Sequence, residues 1–99
     1  MDDITVTDNK ELSRFEGRLA DGTLAGFADY RLEDGVIVFP HTIVDPAFEG
    51  QGVGSAIVRF ALDSVRADGT RAVVATCSFV ERWMQRHPDY LVVCRAIDS

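Results

Sequence analysis

The chain of 99 residues has no run of about 18 apolar residues, so no helix is expected to be long and apolar enough to cross a bilayer. It also lacks a basic stripe. Lysine and arginine total 10 against 16 aspartates and glutamates, the formal charge is −6 and the pI is near 4.7. Nothing in that balance neutralises a phosphate backbone, so nucleic acid is not an expected partner. The opening MDDITVTD is acidic rather than basic and then apolar, unlike a secretory leader, and the cytoplasm is the expected compartment. Cysteine is scarce: Cys77 and Cys94 stand 17 positions apart with no CxxC pair. One disulfide is conceivable, but a cytosolic chain favours free thiols. His41, Cys77, His87 and Cys94 form none of the close pairs that zinc sites show, so no metal is expected.

The hydrophobic content, 46%, is enough for one small core, and no repeat or linker divides the chain. Residues 1–99 therefore read as a single domain that buries roughly 60–65% of its unfolded surface. A second copy would add to that burial, so a homodimer is kept among the candidate partners. In TDNKELSRF, the capping residues Thr7, Asp8 and Asn9 suggest a short helical turn. Asp21-Gly22 and Asp34-Gly35 are turn dipeptides, and the segments 15–19, 24–32 and 36–44 around them read as an antiparallel meander.

The hydrophobic period then changes. Ile57, Val58, Ala61, Leu62 and Val65 mark one face of a helix over about 52–67, stopped at Asp68-Gly69. RAVVATC, 71–77, reads as an internal strand. Phe79, Val80, Trp83, Met84 and His87 repeat the helical stripe until Pro88, and YLVVCRA reads as a last strand. The expected fold is α+β, an α/β sandwich with a mixed sheet in which the meander is followed by β-α-β-α-β.

Between the meander and the long helix runs DPAFEGQGVG. The first N–H groups of a helix lack internal partners, and glycines beside them leave room for an anion. No lysine follows, so this is not a P-loop. Counting GxGxxG from Gly50 or Gly52 requires a glycine where Ser55 or Ile57 stands, so it is not a dinucleotide fingerprint either.

What remains, glycines at 52 and 54 opening a long helix after an antiparallel strand, resembles the acetyl-coenzyme A loop of the GNAT superfamily of N-acetyltransferases. The order His41-Thr42-x-Val44, glycine loop and helix, strand ending at Cys77, helix, and His87-Pro88-x-Tyr90 resembles its minimal, YjdJ-type subgroup across about half the chain. The resemblance implies that coenzyme A lies in the splay between the strands at 37–44 and 71–77. Its pyrophosphate would meet Glu49, Gly50, Gln51, Gly52, Val53, Gly54 and Ser55, its pantetheine arm would pair with Thr42, Ile43 and Val44, and its thioester would sit near Cys77. The wider superfamily has Gln or Arg where this chain has Glu49, whose carboxylate repels a pyrophosphate unless it turns away.

Acetyl transfer to an amine needs a proton acceptor, a polarised thioester carbonyl and a proton for the leaving thiolate. His41, or a water it holds, suits the first task. Cys77 offers a covalent route as the acetyl acceptor, against the plain reading of a small buried hydrophobe. Tyr90 is a candidate acid for the coenzyme sulfur, as tyrosine often is in larger members, or else a core aromatic. Phe79 and Trp83 are expected in the core, with a wall of the acyl slot as the alternative, and Arg59 and Arg66 on a solvated face. The leading expectation is an acetyl-CoA-dependent N-acetyltransferase acting on a small-molecule or protein amine. Beside it stand a non-catalytic CoA-binding or regulatory module, and an interaction domain whose glycines serve only tight packing.

Overall fold

A computed structural model describes residues 4–90. Its five-stranded sheet runs β1 (Thr5–Asn9), β2 (Arg14–Arg18), β3 (Leu24–Glu33), β4 (Val36–Val44) and β5 (Ala72–Ala75), in that spatial order. The first four strands are antiparallel neighbours and β5 lies parallel to β4. A single 3₁₀ turn, Pro46–Phe48, leads from β4 to α1 (Val53–Asp68), and α2 (Ser78–Arg86) follows β5. The fold is α+β with a mixed sheet, as expected. Of the last expected strand, YLVVCRA, only Tyr90 is among the described residues, and it lies in a helical turn with its N–H on the His87 carbonyl at 2.9 Å; the rest lies outside them.

The turns of the β2–β3 and β3–β4 hairpins rest on glycines with positive φ, Gly22 at 91° and Gly35 at 71°, a conformation that costs other residues about 1 kcal/mol or more. Helix α1 lies across β1 to β4, while α2 packs beside it over β4 and β5. One core results: Phe15, Tyr30 and Phe39 from the sheet meet Ile57, Val58 and Leu62 of α1 and Val80, Trp83 and Met84 of α2. Gly17 lets α1 approach closely, because a Cβ there would stand 2.9 Å from Ile57 Cδ1.

Of the segment expected to hold a short helical turn, Thr7, Asp8 and Asn9 belong to β1, residues 10–13 form a turn, and Arg14 and Phe15 open β2. Its capping residues are engaged at longer range: Tyr30 donates its phenolic hydrogen to Asp8 at 2.6 Å, and Asn9 donates to Glu16 at 3.2 Å. Asn9 still caps a turn, since its Oδ1 accepts from the Leu12 N–H at 3.2 Å, but that turn only joins β1 to β2.

The opposite sheet face carries a buried charge. Glu16 is 4% exposed and accepts from Arg14 Nε at 2.7 Å, Asn9 Nδ2 at 3.2 Å and Arg18 Nη2 at 3.3 Å. The Arg14 hydrogen bond, above all, holds its carboxyl below the ordinary value of 4.5 against the opposing cost of burial. A depressed folded pKa adds stability above the unfolded value and loses it as the pH falls through the folded value. Glu16→Gln is therefore expected to destabilise the protein by about 1–3 kcal/mol at pH 7. That difference should shrink progressively as the pH drops below about 4.5. Urea unfolding of both proteins at neutral and acid pH checks this, and a deficit independent of pH would contradict it.

Candidate functional site

The ladder between β4 and β5 is short: Val36 to Phe39 pair with Ala72 to Ala75, and pairing then stops. The cause lies in β4. In its pairing with β3, Asp29 faces His41 and Arg31 faces Val38, so Phe39 and Pro40 together stand opposite Tyr30. This bulge reverses which backbone groups face which neighbour. Before it, the carbonyls of Gly35 and Phe39 accept from Ala72 and Cys77 on the β5 side, at 2.9 and 3.0 Å. After it, Asp45 N–H donates back to Ala25 of β3 at 2.9 Å, so by strand alternation His41 and Ile43 also pair with β3. The N–H and C=O of Thr42 and Val44 are thereby turned toward the β5 side, past the point where β5 ends. Pro40, at the turning point, has no N–H to offer.

That notch opens into a cavity of about 520 Å³. Thr42 and Val44 form its strand side, Phe48, Glu49, Gly50 and Gly52 its loop side, and Val53, Gly54, Ser55 and Phe79 its helix side. Ile43, 51% exposed, projects from the other face of β4, and Gln51 is exposed outside the lining. Asp45 shapes the entry to the loop, its Oδ1 accepting from Ala47 N–H at 2.9 Å.

The three loop glycines have different reasons to be glycine. Gly50 and Gly52 both take φ of 81°, and a Cβ on either would meet nothing within 4 Å. Backbone conformation, not crowding, selects them, and the space beside them is open. Gly54 is the packing glycine, since its Cβ would stand 2.7 Å from Phe79 Cζ. Gly52 is the N-cap of α1 and no side chain caps it, so the first N–H groups of a 16-residue helix face the cavity with the positive end of its dipole. Glu49 stands on the wall and forms no ion pair among the described residues.

At the strand side of the notch, the Cys77 thiol lies 3.7 Å from Thr42 Oγ1, and Cys77 is the N-cap of α2. His41 lies on the opposite face of β4, with a side chain 71% exposed and Nδ1 4.0 Å from Asp29 Oδ2. The structure thus brings Cys77 to Thr42, and places His41 just across the strand. Tyr90 is held elsewhere: its phenol donates to Asp63, well along α1, at 2.8 Å, and that bond raises its pKa.

Trp83 is a core residue, and its indole N–H donates to Ser55 Oγ at 2.8 Å, tying α2 to the first turn of α1. This link joins residues 28 apart, a pairing no local pattern announces. Phe79, 42% exposed, is a cavity wall. Arg59 sits over the Trp83 ring, and Arg66 pairs with Asp63 and lies over Tyr90, so both decorate the outer side of α1. His87 is the C-cap of α2, stacked on Trp83 with ring centroids 3.8 Å apart. No group of three or more potential metal ligands occurs among the described residues, and none of their helices is long and apolar enough to cross a membrane.

A model of the family described as GCN5-related N-acetyl-transferase matches residues 14–93. No curated protein matches the chain.

The positive φ at Gly52 has a direct test. Gly52→Ala is expected to destabilise the protein by about 1 kcal/mol, and Gly52→Asn by less, because Asn tolerates the left-handed region. Equal urea midpoints for wild type and Gly52→Ala would refute the conformational reading.

Proposed function

The chain belongs to the GCN5-related N-acetyltransferase family, and from that membership we propose that it transfers an acetyl group from acetyl-CoA to an amine, borne by a small molecule or a protein. The observation that carries the reading is the notch: β4 and β5 part after Phe39 and Ala75, and the gap opens onto an uncapped helix N-terminus. The order of His41-Thr42, the glycine loop, Cys77 and His87-Pro88 supports placement in the minimal subgroup that the sequence resembles.

The residues fit coenzyme A. The free N–H groups of Val53, Gly54 and Ser55 would hold the pyrophosphate, with Gly50 and Gly52 leaving the approach open. The free N–H and C=O of Thr42 and Val44 would bind the amide-bearing arm as an added strand. Acetyl-CoA supplies the activated acyl thioester. His41, across the strand and paired with Asp29, would take the proton from the incoming amine, directly or through a water. The new C–N bond would form as the C–S bond breaks, with coenzyme A leaving as its thiolate, protonated from solvent. The alternative route runs through an acetyl-Cys77 intermediate, in which Cys77 would act as nucleophile from the N-cap of α2, without His41, which projects from the other face of β4.

A second reading, a CoA-binding module without turnover, is favoured by Tyr90: the residue kept as the candidate acid is committed to Asp63, away from the notch.

Calorimetric titration with acetyl-CoA tests the site itself. Saturable binding is expected, with Glu49→Gln binding about threefold to tenfold more tightly because a repelling charge is removed. No binding at millimolar acetyl-CoA would sink the proposal, and equal or weaker affinity of Glu49→Gln would sink the role given to Glu49. Thiol release with a panel of amines separates turnover from binding alone. For the direct route, Cys77→Ala should retain turnover, and intact mass should show no acetyl gain on the wild-type protein.

A further inference from the structure

A second cavity, of about 260 Å³, lies at the other end of α1. Ser64 and Val65 line it, about 15 Å along the helix from Ser55 at 1.5 Å per residue. Phe15 and Tyr30, which line it, form one ring cluster with Phe39, centroids 5.2–6.5 Å apart, and the cavity shares no lining residue with the notch. Acetyl transfer at the notch makes no use of it.

Its walls are of two kinds. Phe15, Tyr30, Ile37 and Val65 give a buried apolar floor, and Leu32, 54% exposed, stands at the rim. Asp8, Lys10, Asp68 and Arg71 supply charge. Both carboxylates already have partners: Asp8 accepts from Tyr30, and Asp68 accepts from Thr70 at 2.8 Å and pairs with Arg71 Nη1 at 3.5 Å. The cations are less satisfied. Arg71 Nε is buried without a hydrogen-bond partner among the described residues, and Lys10 forms no ion pair among them. The Arg71 side chain is 34% exposed, so its outer guanidinium N–H groups remain open to a charged acceptor, the partner that suits a guanidinium best.

We propose that this cavity binds a small monocarboxylic acid with an apolar body, its carboxylate at Arg71 and Lys10 and its body against Phe15, Ile37 and Leu32. The two carboxylates at the rim disfavour a multiply charged anion such as a phosphate ester, and the two cations disfavour an amine. Arg71 also borders a neighbouring hollow over Gly35, Gly69 and Thr70. That hollow lacks the aromatic floor, so an apolar body gains little there.

Hydrocinnamate and its neutral amide, titrated into the ¹⁵N-labelled protein, distinguish the outcomes by amide shifts. Saturable shifts are expected at Leu32, Ile37, Val65 and Arg71, with residues 50–55 unmoved and the neutral amide weaker by about tenfold or more. Arg71→Gln should abolish that preference for the acid while leaving the weak binding of the amide intact. Lys10→Gln, on an exposed side chain, should reduce the preference without disturbing the fold. Equal affinity for acid and amide, absence of saturable shifts, or shifts confined to residues 50–55 or 69–70 would each overturn the proposal.

Discussion

The site depends on one hydrogen bond and on the proline just beyond it. Cys77 N–H donates to the Phe39 carbonyl at 3.0 Å, the last backbone link among the described residues between β4 and the chain that leaves β5. One residue later Pro40 has no N–H, and the extra residue in β4 reverses the direction of its backbone groups. Two parallel strands that would otherwise zip together are forced apart. The separation exposes the polar backbone of Thr42 and Val44 at a sheet interior, where such groups are normally paired. A ligand able to act as a further strand is the natural partner for that backbone.

The rest of the fold holds this gap open and aims it. The aromatic cluster of Phe15, Tyr30 and Phe39 fixes β4 at the bulge itself. Helix α1 is brought close to the sheet at Gly17, so that its uncapped first turn sits beside the strand ends. Trp83 anchors α2 to that same turn through Ser55, and Gly54 lets Phe79 close the far wall. Because Gly50 and Gly52 have open space beside them, tight packing alone does not account for the loop. The outer face is different in character: His41 and Asp29 are exposed there, on the side of β4 away from the cavity. Proposed binding surface and candidate proton acceptor are thus separated by a single strand.

Much of this was legible in the sequence because it is local. Asp34-Gly35 announced its hairpin, and the spacing of Ile57, Val58, Ala61, Leu62 and Val65 announced the buried face of α1. The glycine loop was readable because its residues are contiguous. What escaped reading is long-range. Asp8 and Asn9 have the chemistry of helix caps, and only Tyr30 and Glu16, brought in by the sheet, make them part of a strand. Ile43 sits between two cavity residues in sequence, yet strand alternation turns it to the other face. Pro40 within an otherwise regular strand was the available signal for the bulge. The bond from Trp83 to Ser55, the tether of Tyr90 on Asp63, and the second cavity assembled from residues 8 to 71 left no trace in any short window.

The bulge should leave two specific amides unpaired and ready for a ligand, and residue-resolved amide hydrogen exchange tests this most directly. In the free protein, Thr42 and Val44 should exchange much faster than His41 and Ile43, which pair with β3. Acetyl-CoA should then slow Thr42 and Val44 selectively. Four amides equally protected in the free protein, or no gain of protection at Thr42 and Val44 with acetyl-CoA, would contradict the account.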